Sequence, residues 1–314
     1  MNEDRPILNV WGAEHIYRSR RYLKGIDLTL RAREIYAMLG PAGAGKATLV
    51  QAICGRIPLS AGDLALMGQN PRETPICRSA LGLVPHAMAL YDHMTVRENL
   101  FTFGRMAGVH GGSLRDGVAQ AMNVTRIADL EHEPVGRLSE GDQRRVNIAC
   151  AILHRPHLLI LDEPSVGSDP VALEALYGAV RDLRDAGMAI LLVTRDLDLA
   201  GELADRVGFM RDGRKVLEGP PRQLIAQAFG EEMEILVQLD EDPDGDDMVA
   251  LAAAGLERRD NTNIWATLDA GAYTTAARLD RDLRQIGVIP REIRVRQPSL
   301  ANLFSLVADW QQAA

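Results

Sequence analysis

Residues 40–48 contain most of a phosphate-binding loop, and this pattern restricts the fold more than any other feature of the chain. The pattern consists of Gly, four further residues, Gly, Lys and then Ser or Thr. Gly40, Gly45 and Lys46 satisfy it, whereas Ala47 stands where the hydroxyl that ligates Mg²⁺ belongs. We therefore expect nucleotide phosphates to contact the loop residues Gly40, Pro41, Ala42, Gly43, Ala44, Gly45, Lys46, Ala47 and Thr48.

The segments on either side of the loop have the composition that the motif requires. Residues 34–39 predict a buried strand, and residues 47–53 contain helix-forming side chains that end at Gly55. A glycine-rich turn between a strand and a helix presents backbone N–H groups to phosphate. Lys46 adds a positive charge for the outer phosphates.

A pair of carboxylates ends a second apolar run. Residues 158–161 predict a buried strand, and Asp162 and Glu163 follow it directly. Beside a phosphate loop, Asp162 can hold Mg²⁺ directly or through water, and Glu163 can orient or deprotonate an attacking water. The alternative interpretation is a solvated polar strand end.

Alternating strand and helix patterns predict a mostly parallel α/β fold. Further strands are expected at 7–10, 28–30 and 188–194, and helices at 170–186 and 197–204. Residues 95–138 are mostly helical in pattern. Thr95 followed by Glu98 predicts a capping box at the start of that region.

Composition changes near Gly219-Pro220-Pro221, which predicts two domains, 1–225 and 226–314, with a helical subdomain at about 90–150. The acidic segment 240–247 is interpreted as a loop. Strands at 234–239, 256–259, 263–268 and 292–296, with helices at 248–254, 274–286 and 300–310, predict a small α+β, ferredoxin-like C-terminal domain. A turn at 260–262 would join two of these strands.

Bulk composition excludes several functions. The net charge of −8 argues against a nucleic-acid partner. Cys54, Cys77 and Cys150 have no metal-ligand spacing and are typical of inert thiols in a reducing compartment. The polar N-terminus and the short apolar runs predict a cytoplasmic protein that reaches the membrane only through a partner.

A third motif identifies a family resemblance. The sequence Leu138-Ser139-Glu140-Gly141-Asp142-Gln143 precedes the second strand, and Asp169 follows that strand in Ser168-Asp169-Pro170. Together with the loop and the carboxylate pair, these residues resemble the signature and D-loop of the nucleotide-binding subunits of ATP-binding cassette (ABC) transporters. Residues 91–100 and the tail 298–304 are similar to the drug-export and nodulation-export branch of that family.

The resemblance implies a P-loop NTPase fold of the ABC type, with ATP and Mg²⁺ as cofactors. It implies a dimer in which ATP lies between the loop of one subunit and the signature of the other, here Ser139, Glu140, Gly141 and Asp142. It also implies a separate membrane permease, so that the protein would lie on the inner face of the cell membrane. Tyr17 stands at the position of an aromatic residue that stacks on adenine.

Several positions depart from the family pattern. Besides Ala47, His86 stands in place of a glutamine and Arg195 in place of a histidine, and both positions belong to the expected catalytic set with Glu163. Glu140 and Asp142 add carboxylates to the signature, where repulsion should weaken the closed dimer unless a cation compensates.

Three functions stay open from the sequence. The first is an ABC exporter ATPase, and the second is an attenuated ATP-binding module in an asymmetric dimer. The third is a soluble cassette protein without a permease. The basic run 18–21 is interpreted as a solvated surface segment.

Overall fold

The computed structural model describes residues 5–259, 262–285 and 287–309, and the chain divides into two compact units, Met1–Pro221 and Arg222–Ala314. Among the described helices none combines the length and the apolar character that crossing a membrane requires. Each unit is described by itself.

A six-stranded sheet forms the centre of the first unit, with the strand order β5-β6-β7-β3-β8-β9. Neighbours from β5 to β8 pair in parallel, and β9 pairs with β8 in antiparallel orientation. The strands β3 and β7 are buried at every residue, as expected for a parallel sheet covered on both faces. The strand bounds are β3 Ile35–Leu39, β5 Leu81–Val84, β6 Leu158–Asp162, β7 Ala189–Val193, β8 Arg206–Arg211 and β9 Arg214–Gly219.

A second, antiparallel sheet has the order β2-β1-β4, with β1 Leu8–Tyr17, β2 Arg20–Leu30 and β4 Ala61–Leu66. The predicted strands at 7–10 and 28–30 were too short, because β1 and β2 continue to a tight turn. Arg18 and Ser19 form this turn with positive φ angles of 47° and 66°. Such turns usually contain Gly or Asn, so the residue types gave no signal.

Seven helices lie in the described chain up to residue 229, of which α7 falls in the second unit, and several begin where the sequence predicts. Thr95 and Glu98 form the predicted capping box. The region 95–138 is less continuous than predicted, because α2 and α3 are separated by a turn and followed by short 3₁₀ segments. The helices are α1 Lys46–Ile53, α2 Val96–Met106, α3 Gly111–Val124, α4 Glu140–Ile152, α5 Pro170–Asp185, α6 Leu197–Leu203 and α7 Pro221–Phe229.

The second unit, called the accessory unit below, contains one antiparallel sheet with the order β11-β12-β10-β13. Two helices, α8 and α9, alternate with its strands, and α10 follows. The predicted pairing of its short hairpin is present, because Arg258 lies opposite Trp265. The ferredoxin-like assignment stays a prediction. The element bounds are β10 Met233–Leu239, α8 Gly245–Ala253, β11 Glu257–Arg258, β12 Ile264–Asp269, α9 Ala272–Gln285, β13 Pro290–Arg296 and α10 Leu300–Asp309.

The acidic segment 240–247 is not entirely a loop, since α8 already begins at Gly245. The Asp244 side chain accepts hydrogen bonds from the backbone N–H groups of Asp246 and Asp247, both at 2.9 Å. Carboxylates are favourable in a first helical turn because the N-terminus carries a partial positive charge. The acidic residues therefore start the helix instead of preventing it.

Parts of three predictions lie outside the described residues. These are the turn residues Asp260 and Asn261, the helix end Ile286 and the helix end Trp310.

A buried carboxylate connects the accessory sheet to α10. Glu234 of β10 is fully buried and accepts hydrogen bonds from Asn302 Nδ2 at 2.8 Å, Arg296 Nε at 2.6 Å and Arg259 Nη2 at 2.5 Å. Asn302 also accepts a hydrogen bond from the Ser299 backbone at the start of α10. The tail motif at 298–304 thus has a structural role in this chain.

Replacing Glu234 with Ala is expected to lower the free energy of unfolding of the accessory unit by about 2 kcal/mol, because it leaves the two guanidinium groups and Asn302 without their shared acceptor. Urea unfolding of the full chain, with hydrogen exchange of the β10 amides, measures the loss. Asp280→Ala, which breaks an exposed pair with Arg284, is the control and should cost less than about 0.5 kcal/mol. Equal effects of the two changes would contradict this role.

The same carboxylate predicts a pH dependence. Burial would raise the pKa of Glu234, but the hydrogen bonds from Asn302 and Arg296 and the nearby guanidinium charges bring the pKa below its ordinary value. Its contribution to stability is therefore complete above the unfolded carboxyl pKa of about 4.3 and is lost as the pH falls through the lower folded value. In Glu234→Ala, the stability of β10 should therefore no longer show this contribution when unfolding is followed as the pH is lowered.

Candidate functional site

The glycine loop joins β3 to α1, and its backbone approaches neighbouring chain too closely for side chains. A Cβ at Gly45 would lie 2.6 Å from the Tyr22 carbonyl oxygen, and one at Gly40 would overlap the Met210 carbonyl oxygen. Gly45 also has a φ of 106° and directly precedes α1. The loop therefore presents the N-terminal N–H groups of a helix to whatever lies in front of it.

Lys46 is the first residue of α1, and only 8% of its surface is exposed. Its ammonium group donates hydrogen bonds to the carbonyl oxygens of Gly40 and Pro41, the latter at 3.2 Å. Burial lowers the pKa of Lys46, and the carboxylates of Glu163 and Asp162 oppose that change. Both carboxylates thus lie close enough to act on the lysine.

A cleft of about 530 Å³ opens in front of the loop, at the carboxyl ends of the parallel strands β3, β6 and β7. This edge is where open α/β sheets bind ligands. The cleft brings together the glycine loop, the carboxylate pair and two predicted catalytic positions. Its lining residues are Arg20, Tyr22, Pro41, Ala42, Gly43, Ala44, Gly45, Lys46, Ala47, Thr48, His86, Asp162, Glu163, Val193 and Arg195.

Asp162 ends β6 and faces this cleft. Burial raises its pKa, and the neighbouring Glu163 charge raises it further, while His86, Lys46 and Arg144 act in the opposite direction. The carboxylate therefore lies in an environment that favours an additional cation.

Glu163 has a strained backbone and a fully engaged carboxylate. Its φ of 50° lies in the left-handed region, and its N–H donates to the Val193 carbonyl at 2.8 Å. The carboxylate accepts hydrogen bonds from Thr194 Oγ1 at 2.9 Å and from the Arg195 backbone N and Nε, both at 3.2 Å. Because Glu163 is 13% exposed and Arg195 59% exposed, the arginine can leave the pair more easily than the glutamate can.

The segment that carries His86 is fixed by a residue that the sequence analysis did not identify. Arg144 of α4 is buried and donates hydrogen bonds to the carbonyl oxygens of Pro85 at 2.9 Å and His86 at 3.0 Å. Burial lowers the pKa of Arg144, and the charges of Asp162 and Glu140 oppose that change. Helix α4, which begins with the signature, therefore determines where His86 enters the cleft.

The signature residues lie at the start of α4 and outside the cleft. Ser139 is the N-cap, and its hydroxyl donates to Asp142 Oδ2 at 2.8 Å. Asp142 also forms an ion pair with Arg145. The cation that the sequence analysis required for Asp142 is thus present within the same chain. Glu140 and Gly141 occupy the same first turn.

Asp169 caps α5 and also lies outside the cleft. Its side chain accepts a hydrogen bond from the Ala172 backbone N–H at 2.8 Å, and Pro170 follows at the first helical position. Asp169 therefore fixes the start of α5.

Tyr17 does not line the cleft, whereas Tyr22 and Arg20 do. Tyr17 ends β1, is 55% exposed, and its ring lies 5.4 Å from the Arg18 guanidinium carbon. Arg20 is exposed but not merely solvated, because its guanidinium carbon lies 5.1 Å from the Tyr22 ring centre at the cleft wall. Arg20 and Tyr22 are two positions apart on one strand, so their side chains point to the same side. This spacing could be interpreted only once the bounds of β2 were known.

Within the described residues, no group of three or more His, Cys, Asp and Glu side chains could hold a metal ion. A metal in this cleft would therefore depend on Asp162 and on oxygen atoms supplied by a ligand, an arrangement that suits Mg²⁺ because this ion keeps several waters.

Comparison with known proteins gives one consistent result. The family described as ABC transporter matches residues 23–166. The Nod factor export ATP-binding protein I of Sinorhizobium fredii is 36% identical over 215 residues, which cover 68% of this chain and 63% of that protein. The chain thus matches less than two thirds of the length of this relative.

Two further proteins extend the comparison. The linearmycin resistance ATP-binding protein LnrL of Bacillus subtilis is 31% identical over 68% of this chain and 70% of that protein. The solved structure of cbiO1 from Clostridium perfringens superimposes with a TM-score of 0.67 at 28% identity, over 72% of this chain and 92% of that one.

The fold and the cleft define a nucleotide-binding protein of the P-loop class. More narrowly, the chain belongs to the ABC transporter family, and both of the relatives named above are ATP-binding proteins.

Proposed function

We propose that this protein binds ATP with Mg²⁺, hydrolyses it slowly, and uses the cycle to drive export through a separate membrane permease. It works with a second ATP-binding subunit on the inner face of the cell membrane, and nucleic acid is not a partner. Domain 1–225 carries the nucleotide chemistry, and domain 226–314 is accessory. The transported substrate would be chosen by the permease.

The observation that carries the proposal is the meeting of Lys46, Asp162 and Glu163 in one cleft beside the N-terminus of α1. Phosphoryl transfer needs mainly positioning and charge stabilisation. The backbone N–H groups of the loop and the Lys46 ammonium supply positive charge, and Glu163 is the carboxylate that can orient or deprotonate water.

Mg²⁺ would neutralise charge on the phosphates, and Asp162 would hold it directly or through water. His86 enters the same cleft and can bind water or a phosphate oxygen. Because Ala47 has no hydroxyl, water would have to supply one ligand that the loop would otherwise provide. This loss favours slow turnover.

The ion pair between Arg195 and Glu163 also favours slow turnover. The Glu163 carboxylate is a weaker base while its oxygens accept these hydrogen bonds. A γ-phosphate would compete with Glu163 for one of the donors, the Arg195 guanidinium. Arg195 keeps a positive charge beside the phosphates but cannot exchange a proton near neutral pH.

The position of the signature supports a second subunit. Ser139, Glu140, Gly141 and Asp142 lie outside the cleft of their own chain, so they would contact nucleotide held by a partner. The Asp142–Arg145 pair reduces the repulsion that Asp142 would bring to that contact. Glu140 stays exposed and contributes to the attenuation.

The relatives support export as the direction of transport. One of them is named for Nod factor export and another for linearmycin resistance. Both names describe ATP-binding proteins, which agrees with the proposed division of work between this chain and a permease.

Glu163→Gln is expected to reduce Mg²⁺-dependent ATP hydrolysis by at least about a hundredfold, because the amide cannot accept a proton from water. Phosphate release by purified protein measures the rate, and equilibrium binding of ATP should persist. Glu174→Gln, which changes an exposed carboxylate of α5, is the matched control and should keep the wild-type rate. A Glu163→Gln rate equal to wild type would show that Glu163 is not the catalytic carboxylate.

Ala47→Ser is expected to raise the Mg²⁺-dependent rate by about tenfold, which corresponds to about 1.4 kcal/mol of barrier. Ala47 is exposed at the first turn of α1, so the added hydroxyl needs no rearrangement. The rate is measured across a Mg²⁺ titration. Ala42→Ser places a hydroxyl elsewhere on the loop and should leave the rate unchanged; equal responses of the two variants would refute the proposed cause of attenuation.

A further inference from the structure

The last strand of the accessory sheet has one unpaired side. β13 pairs with β10 along its length, from Arg296 opposite Glu234 to Pro290 opposite Leu239, and it is the outer strand in the order β11-β12-β10-β13. No described strand pairs with its other side. The N–H and C=O groups on that side are available to another strand.

Apolar surface lies beside this open edge. A groove of about 420 Å³ runs between α9 and β13, and its lining residues all belong to the accessory unit. Tyr273, at the start of α9, is 73% exposed and lines the groove, and Ile289 just before β13 is 66% exposed. Ile293 and Val295 of β13 are only partly buried. A second strand at this edge would therefore cover apolar side chains as well as backbone groups.

Two opposite charges are neighbours on one face of β13, and the next residue of that face, Arg296, is bound to Glu234. Glu292 and Arg294 are two residues apart, so they point to the same side, and they form an ion pair within the strand. Their side chains are 41% and 65% exposed. Both are thus available to a strand that lies alongside.

This pattern is most complementary to itself in one register. In a two-fold antiparallel pair of β13 strands, opposite residues point to the same face, so the sum of their numbers is even. Centring the pair on Ile293 places Glu292 opposite Arg294 twice. Moving the centre by one residue places Glu292 opposite Glu292 or Arg294 opposite Arg294, and like charges directly opposite are destabilising. In the register centred on Arg294, Glu292 would face Arg296, whose guanidinium is already bound to Glu234.

We propose that the accessory unit is a dimerisation module, in which β13 pairs antiparallel with β13 of a second copy of this chain, centred on Ile293. The proposal extends the proposed function, which requires a second ATP-binding subunit, by naming that subunit as another copy. The arginines on this edge oppose pairing with unrelated strands. A second copy of β13 offers its Glu292 to Arg294 and its Arg294 to Glu292, so it does not meet this opposition.

A charge-swap experiment tests the pairing. Sedimentation of the full-length protein without nucleotide should show a dimer for wild type. Glu292→Arg and Arg294→Glu should each weaken the dimer by at least about tenfold, because each places two like-charge pairs at the centre. The double variant Glu292→Arg with Arg294→Glu should restore it. A monomeric wild type, unaffected single variants, or a double variant as weak as the singles would overturn the proposal.

Cross-linking tests the register independently of folding losses. Ile293→Cys places two thiols opposite each other at about 4.5–5.5 Å between Cα atoms, a span that a disulfide fits. Mild oxidation should give a covalent dimer, whereas Val249→Cys, on α8 and 69% exposed, should not. The native Cys54, Cys77 and Cys150 are buried and give a low background. Equal cross-linking at 293 and 249, or none at 293, would overturn the proposal.

The two proposals can fail separately. Lys46→Ala is expected to weaken nucleotide binding by at least about tenfold and to leave the β13 dimer intact, because the proposed pairing needs no nucleotide. A dimer that forms only with ATP would overturn the β13 proposal and leave the proposed function standing. A stable β13 dimer that binds no ATP would do the reverse.

Discussion

The interaction on which the rest of the site depends is the attraction between a buried ammonium group and the negative groups around it. Lys46 is almost enclosed, and burial lowers its pKa, so the charged form has to be supported by its neighbours. Loop carbonyls, Asp162 and Glu163 provide that support in the structure. A triphosphate would supply stronger support from the same side, which explains why the loop, the lysine and the carboxylates lie at one edge of the sheet.

Two of the departures from the family pattern are charged side chains that have partners within the chain. Arg195 lies on the Glu163 carboxylate, and Arg145 on Asp142, so two of the altered positions have internal partners. Ala47 has no such partner, because this position lacks a hydroxyl that could ligate a metal and carries no charge. In the proposed function, the loop backbone and Lys46 would bind the nucleotide, and the altered side chains would act mainly on the rate of hydrolysis.

The sequence predicted those parts of the site that are local in the chain. The glycine loop and the carboxylate pair could be located because their residues are contiguous, and Asp142–Arg145 was within reach because three residues span one helical turn. Arg144 could not be assigned, since its acceptors belong to a segment almost sixty residues earlier. The place of Arg20 and Tyr22 at the cleft could not be predicted, because it depends on where β2 begins. The turn before β2 contains neither Gly nor Asn, so the sequence gave no sign of that start. The start of α8 was missed because the acidic residues were interpreted as a loop and not as a helix cap.

Calorimetric titration of the wild-type protein and of Lys46→Ala with Mg-ATP measures how much the Lys46 ammonium group contributes to nucleotide binding. Wild type should bind saturably and Lys46→Ala at least about tenfold more weakly, since hydrogen bonds to charged groups contribute about 1.5–3 kcal/mol. Absence of binding to wild type, or equal affinity of the two proteins, would contradict this expectation.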